Sequence, residues 1–212
     1  MNDKFFDIKN EKQERILNAA IKVFALNGYR KASTDVIVKE AGISKGLLFH
    51  YFTSKLSLYE YIIDYSVKFM NFEFTNSVSR QEKDFFELQT MMEQAKIRVM
   101  RLYPYMQQFL CSLKYETDVK AKEVIGENAY AFESMINVIY KQADNSKFQE
   151  YVVVSKVQDM IRWMSESYLR ENLLEGNTDS EELVAEFSKY LKMLKGHLYK
   201  GGLVGVDIEE IM

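Results

Sequence analysis

The 212-residue sequence has few of the residues that build disulfide frameworks, metal sites and rigid turns: one cysteine, one proline and two histidines. The single cysteine, Cys111, excludes an internal disulfide framework, and its apolar neighbours favour a buried thiol. The two histidines have no Cys or His partner at ligand spacing, and motifs of hydrolases, P-loops and dinucleotide-binding folds are missing from the sequence. We therefore expect no enzyme, no metal and no cofactor.

Long apolar runs are also lacking. No stretch approaches the roughly 20 consecutive apolar residues that span a bilayer, and residues 1–4 do not begin a signal peptide. The sequence therefore predicts a cytoplasmic protein without a membrane partner. The net charge of −3 is divided unevenly, because residues 1–70 hold 11 of the 28 basic residues and 8 of the 31 acidic ones. This basic excess favours nucleic-acid binding by the first part of the chain.

The centre of the sequence pattern is a pair of short helices. Thr34 can cap a helix over residues 35–41, and Gly42 then permits the left-handed backbone of a sharp turn. The residues of this helix that we expect to turn inward are Val36, Ile37 and Ala41. Ser44 can cap a second helix over residues 45–52, so the stretch has the pattern of a helix-turn-helix.

The second helix has the composition of a DNA-reading helix. Lys45 and Gly46 lie in its first turn, where such a helix presents base-edge and phosphate contacts in the major groove. Gly46 costs roughly 1 kcal/mol relative to Ala in a helix, a loss that makes sense if the DNA backbone comes close there. Leu48 and Phe52 would pack inward. The opposite, free face is predicted to hold Leu47, His50 and Tyr51.

At these positions the sequence resembles the TetR family of bacterial regulators. The resemblance rests on Ala41-Gly42-Ile43-Ser44-Lys45-Gly46, Phe49-His50-Tyr51-Phe52, Ser54-Lys55, and upstream on Phe24, Gly28-Tyr29 and Thr34. It covers roughly residues 11–70. It implies DNA contacts from Thr34, Ser44, Lys45, Gly46, Leu47, Phe49, Tyr51 and Lys55, to which the predicted free face adds His50.

Two positions depart from the family pattern. The family commonly has Tyr where this chain has Phe49, so a hydroxyl contact to phosphate is not expected there. Leu47 stands where small or polar residues are frequent, which leaves apolar contact with a thymine methyl as its expected base contact.

Apolar periodicity predicts helices along the remaining chain. Their expected ranges are 10–27, 55–78, 84–102, 104–116, 118–143, 147–174 and 178–201. Pro104 forces Tyr103 out of helix, Gly176 ends a helix, and Thr178 opens the last one with capping-box spacing. The sequence thus predicts an all-α fold of about nine helices. With the resemblance, this becomes a three-helix helix-turn-helix head over residues 1–54 and a helical-bundle ligand-binding and dimerisation body over residues 55–212, joined by the helix 55–78.

The last two predicted helices carry apolar stripes with two interpretations. The stripes hold Val153, Val157, Met160, Ile161, Met164 and Tyr168, and Leu183 or Val184, Phe187, Leu191, Leu194 and Leu198. Each stripe can face the core of its own domain, or the two can pack against a second copy in a homodimer, as the resemblance implies. A single short recognition helix needs a second copy to span a usable DNA site, which favours the homodimer.

The middle helices are rich in methionine and aromatic residues, and these also have two interpretations. Such residues usually form solid core, but they also line adaptable apolar cavities. The candidate lining of a small-molecule site is Met92, Met106, Phe109, Tyr130, Met135, Trp163, Met164 and Tyr168. The sequence therefore favours a repressor released from double-stranded operator DNA by a small lipophilic or aromatic effector. The alternative is a structural DNA-binding dimer of the same fold without a ligand.

Overall fold

The computed structural model of the chain describes residues 3–177 and 179–201. Nine α-helices lie in those residues: α1 (Asn10–Lys31), α2 (Thr34–Ala41), α3 (Lys45–Tyr51), α4 (Lys55–Ser77), α5 (Phe85–Leu102), α6 (Met106–Ser112), α7 (Val119–Lys141), α8 (Val154–Glu175) and α9 (Ser180–Leu198). Single-turn 3-10 helices cover Asp3–Phe5, Leu113–Tyr115 and Asn145–Lys147. The predicted all-α fold is confirmed. None of these helices, in the part of the chain that is described, is long and apolar enough to cross a membrane.

α8 begins seven residues later than the periodicity predicts. The segment from Asn145 to Lys147 forms a separate 3-10 turn instead. Phe148 is buried and pairs through an isolated antiparallel bridge with Tyr199. Because this bridge holds the backbone of Phe148 in extended conformation, the helix starts only at Val154, with Val153 as its extended N-cap residue.

α9 is also shorter than predicted. Its N-cap is Asp179, whose carboxylate accepts hydrogen bonds from the backbone N–H groups of Glu181 and Glu182 at 3.0 and 3.2 Å. Thr178, which we expected to open this helix, lies outside the described residues. The helix ends at Leu198, before the glycine pair that was predicted to end it.

The described chain forms two compact packing units. The first comprises Met1–Phe72 and Leu102–Met135. Its core includes the apolar stripe of α1, which packs against α2 and α6. The side-chain amide of Asn18 in α1 donates to the carbonyl of Leu102 at 3.0 Å. The predicted domain boundary at residue 54 lies inside this unit and stays a prediction.

α4 is joined to the segment before α6 by a pair of tyrosines. The hydroxyl groups of Tyr65 and Tyr103 lie 2.5 Å apart in a hydrogen bond. Burial, followed by this hydrogen bond, raises the pKa of Tyr103. Tyr103 lies outside the helices because the residue before Pro104 is disfavoured in helix, as predicted. The hydroxyl pair therefore fixes a non-helical segment on the middle of α4.

The second unit comprises Glu73–Arg101 and Ile136–Met212, and is described to residue 201. Its larger core cluster joins α5, α8 and α9 and holds Phe85, Phe86, Phe148, Val157, Ile161, Phe187, Leu191 and Tyr199. A smaller cluster holds Ile97, Met100, Leu169 and Leu183. The stripes predicted on the last two helices therefore face the core of their own unit at these positions. Met160 and Val153 depart from this, because both are exposed.

A buried polar cluster lies within the second unit. Glu93 on α5 accepts hydrogen bonds from Gln89, Lys96 and Ser165 at 2.7, 2.6 and 2.6 Å. Lys96 also donates to the Ser165 hydroxyl on α8 at 2.9 Å. The Tyr140 hydroxyl on α7 donates to the side-chain amide oxygen of Gln89 at 2.7 Å. Burial, and then the charge of Glu93, raises the pKa of Tyr140. The cluster therefore ties three helices together through charge-assisted hydrogen bonds.

Candidate DNA-binding site

The turn between α2 and α3 has the local chemistry that the sequence predicts, with one correction. Gly42 adopts the left-handed conformation at φ 64° after α2, and the Ser44 hydroxyl accepts from the backbone N–H of Leu47 at 3.2 Å. The cap of α2, however, is Ser33, whose hydroxyl accepts from the backbone N–H of Asp35 at 3.2 Å. Thr34 is the first residue of the helix instead of its cap.

The inner face of α3 includes one residue that was predicted to be free. Leu48 and Phe52 are buried as expected, but Tyr51 is also only 4% exposed. Its ring packs edge-on against Phe5, with ring centroids 5.6 Å apart. Phe5 belongs to the amino-terminal 3-10 turn and also contacts Phe52 at 5.0 Å. The expected place of Tyr51 on the free face is therefore wrong, because this distant arm covers it.

The outer face of α3 keeps most of the predicted residues open to solvent. The exposed members of the predicted DNA-contacting set are Ser44, Lys45, Gly46, Phe49 and His50, while Thr34, Leu47 and Lys55 are half-buried. In α2, Ile37 and Ala41 turn inward as predicted, but Val36 is 45% exposed. The correction at Val36 follows from helix geometry, since a position next to the buried Ile37 points about 100° away from it.

Lys45 carries a charge that is already engaged. Its ammonium lies 2.8 Å from the Asp35 carboxylate, and both side chains are mainly exposed. An exposed ion pair contributes only about 0–1 kcal/mol. Exchange of Asp35 for a guanine edge or a phosphate therefore costs little, and the reading helix keeps a cation available at its first turn.

Lys55 is half-buried, whereas Lys45 is exposed. Its ammonium donates to the carbonyl of Arg30 at 3.3 Å and lies 4.7 Å from the centre of the Tyr29 ring. Partial burial lowers the pKa of Lys55, while the carboxylates of Asp118 and Glu116 oppose part of this shift. The positive charge of Lys55 thus lies at the carboxyl end of α1, where it interacts favourably with the helix carbonyls.

A carboxylate from a distant part of the sequence reaches this region. Glu116 Oε2 accepts from the backbone N–H of Tyr29 at 2.8 Å, across 87 residues of sequence. Partial burial raises the pKa of Glu116, but hydrogen bonds from the backbone N–H groups of Asp118, Tyr29 and Thr117 lower it. The net shift of the pKa is downward. Nothing in the local sequence of either residue indicates this contact.

The predicted small-molecule residues fall in both units. In the first unit Met106 and Phe109 are buried and Met135 is half-buried, and in the second Met92 is buried and Met164 and Tyr168 are half-buried. Tyr130 and Trp163 are 75% and 56% exposed, so their rings are open to solvent. The assignment of these eight residues to a ligand site stays a prediction.

Comparisons with known proteins relate this chain to a family of regulators. The sequence model of the bacterial regulatory proteins of the tetR family matches residues 16–62. The HTH-type transcriptional regulator YerO of Bacillus subtilis is 27% identical over 210 residues, which cover 95% of this chain and 71% of that protein. The match therefore extends past the helix-turn-helix into the carboxy-terminal helices.

Solved structures share the fold over most of the chain. A TetR family transcriptional regulator from Chloroflexus aurantiacus superposes with a TM-score of 0.63 at 17% identity, covering 94% of this chain and 98% of that one. FadR from Bacillus subtilis, solved in complex with stearoyl-CoA, has a TM-score of 0.58 at 17% identity and covers 85% of this chain and 96% of its own. At this identity the likeness concerns the fold.

Proposed function

This chain belongs to the TetR family of DNA-binding transcriptional regulators, and from that premise we propose that it is a repressor whose homodimer leaves its operator when a small lipophilic molecule binds. The observation that carries the proposal is the outer face of α3. Lys45, Gly46 and Phe49 stand open to solvent on a helix whose other side is anchored by Leu48 and Phe52. A helix held on one side and open on the other is the geometry needed for entry into a major groove.

The proposed homodimer uses exposed apolar residues of the last two helices in place of the stripe positions that face the core. Large apolar side chains that are exposed there in the chain alone include Met160 and Trp163 on α8 and Tyr190 and Met193 on α9. On each helix the pair is three residues apart, so both side chains lie on one face. Large exposed apolar side chains that share a helix face are a usual sign of a protein interface.

The proposed effector is a small lipophilic or aromatic molecule. Two observations support it. The candidate lining residues include several buried or half-buried methionines, which adapt to irregular apolar guests. FadR of Bacillus subtilis, which shares this fold, was solved with stearoyl-CoA. Release of DNA requires that the effector favour the form with low operator affinity, because equal affinity for both forms would shift nothing.

Two lysines of the head are expected to differ in their contribution to DNA binding. Lys55→Ala should weaken binding to all sequences and reduce the slope of log affinity against log salt by about one, as for one lost phosphate contact. Lys45→Ala should instead relax base preference at one position per half-site, through the loss of a contact to a guanine edge. The measurement is binding to a randomised operator library at several salt concentrations.

The matched control for these variants is Lys68→Ala. Lys68 is exposed on α4 and pairs only with Asp64 of the same helix in the contacts described, at 2.9 Å, so both the salt slope and the base preference should stay at the wild-type values. A uniform loss of the same size for Lys45→Ala and Lys55→Ala would contradict this division of roles.

An effector should weaken operator binding by at least about tenfold, which requires about 1.4 kcal/mol of preference for the DNA-free form. We would titrate the protein–operator complex with a panel of lipophilic and aromatic compounds that includes stearoyl-CoA, with coenzyme A as the control that lacks the acyl chain. Calorimetric titration of the protein without DNA would report binding separately, because Trp163 lies on the proposed homodimer face and its fluorescence would also respond to dissociation. If no compound binds, or bound compounds leave operator affinity unchanged, the structural DNA-binding dimer without a ligand becomes the better explanation.

A further inference from the structure

The carboxylate of Glu116 collects three backbone N–H groups. Its Oε2 atom accepts from Tyr29 at 2.8 Å, and its Oε1 atom accepts from Thr117 and Asp118 at 2.8 and 2.9 Å. Both oxygens are therefore engaged, one within its own segment and one on α1. Hydrogen bonds to an ionised acceptor are roughly twice as strong as neutral ones, so this is a firm connection between two distant parts of the chain.

The Tyr29 N–H is available because α1 is interrupted one residue earlier. Gly28 has φ 66° and ψ 174°, far from helical values, and the chain then resumes a last helical turn to Lys31. Only glycine adopts such a positive φ without strain. An added side chain at this position would also place its first carbon 3.4 Å from Glu116 Oε2. The break thus turns one peptide N–H out of the helix and leaves room for the carboxylate.

This contact joins the end of α6 to the segment just before α2, within the first unit. Glu116 directly follows the 3-10 turn that continues α6. Tyr29 is four residues before Ser33, the cap of α2, and its ring contacts Tyr59 of α4 at 5.0 Å. A displacement of the segment after α6 would therefore be passed to the start of the helix-turn-helix through one peptide group.

We infer that Glu116 is a positioning residue for DNA reading, whose carboxylate fixes the break in α1 and thereby sets the placement of α2 and α3. The hydrogen bond that it makes to the head is to a backbone N–H, so we assign its effect on operator affinity to the main chain, and the salt slope tests for an added effect through the nearby charge of Lys55. The inference rests on DNA binding by the head and is independent of the proposed effector. The turn at residues 113–116 and the hydrogen bond of Glu116 to Tyr29 then connect α6 to the head.

The test uses the full-length protein and a DNA site selected by the unaltered protein from a random library. Glu116→Ala removes both acceptor oxygens, and Glu116→Gln keeps the shape and one carbonyl oxygen. Glu123→Gln is the matched control, because Glu123 is an exposed carboxylate of α7 and its loss changes the net charge equally. The readouts are hydrogen exchange of the Tyr29 amide, affinity for the selected site, and circular dichroism to establish that each variant is folded.

Glu116→Ala should accelerate exchange at Tyr29 at least about tenfold and weaken the selected site about tenfold, with an unchanged salt slope and base preference. In both exchange rate and affinity, Glu116→Gln should lie between Glu116→Ala and the wild type, and Glu123→Gln should match the wild type. If Glu116→Ala does not fold, Glu116→Gln is compared with Glu123→Gln, and it should show the faster exchange at Tyr29 and the weaker binding. Unchanged exchange at Tyr29, or faster exchange with unchanged affinity, would overturn the inference. If the unaltered protein selects no DNA site, the proposed function fails, while the exchange measurement still tests the contact.

Discussion

Lys96→Met is expected to lower the free energy of unfolding by about 3–5 kcal/mol, because it leaves the Glu93 carboxylate buried without its cation. Both side chains are among the most buried charged groups of the described chain, with 9% and 4% of their surface exposed. The Ser165 hydroxyl and the Gln89 amide would remain as donors to Glu93 but cannot neutralise it. Chemical denaturation followed by circular dichroism, at one fixed protein concentration, measures the loss.

The double variant Glu93→Gln with Lys96→Met should recover most of that stability. A neutral amide at position 93 can still accept from Gln89 and bond to Ser165, so no unpaired charge stays buried. Lys122→Met, at an exposed position of α7, is the control for a change of lysine to methionine and should shift the free energy of unfolding little. A single Lys96→Met variant as stable as the wild type would show that the buried pair contributes nothing.

Introduction of charge at two places of α8 and α9 should have opposite outcomes. Trp163→Glu combined with Met193→Glu should give a folded monomer, because both side chains are exposed in the chain alone and the proposed homodimer would bury them. Phe187→Glu should instead prevent folding, because Phe187 is buried in the core of its own unit. Sedimentation velocity at micromolar concentration and circular dichroism together separate the two results.

Val138→Glu is the control for the surface pair. Val138 is a large exposed apolar residue of α7, outside the two helices of the proposed face, so this variant should remain a dimer. The proposed homodimer would be wrong if the unaltered protein sedimented as a monomer at micromolar concentration. The proposed face would be wrong if the Trp163 and Met193 variant stayed dimeric.

The local features of the head were predictable because they depend on neighbouring residues. Ser44 caps α3 through a bond to Leu47, three positions away, and Gly42 meets the steric need of one turn. The sequence therefore contains the whole cause of these features. The same holds for Gly176, which ends α8 in the left-handed conformation.

The failures involve contacts over long sequence distances. α3 has only two turns, so its own pattern cannot decide whether Tyr51 is covered, and the residue that covers it, Phe5, lies in a separate arm. On α8, Met160 and Ile161 are adjacent and both apolar, so periodicity alone does not predict which of them faces the core. The packing of Phe148 against α5 and Tyr199 decides where α8 begins. Such choices are made by tertiary packing, which a single sequence does not display.

The hydrogen bonds of α1 make the DNA-reading module discontinuous in sequence. Within residues 1–54, the Asn18 amide and the Tyr29 N–H both find their acceptors beyond residue 100, at Leu102 and Glu116. A chimera that joins residues 1–54 to the body of another regulator would leave both donors without these acceptors. For an exchange of DNA specificity between relatives, the segment from Leu102 to Glu116 therefore has to be transplanted together with the helix-turn-helix.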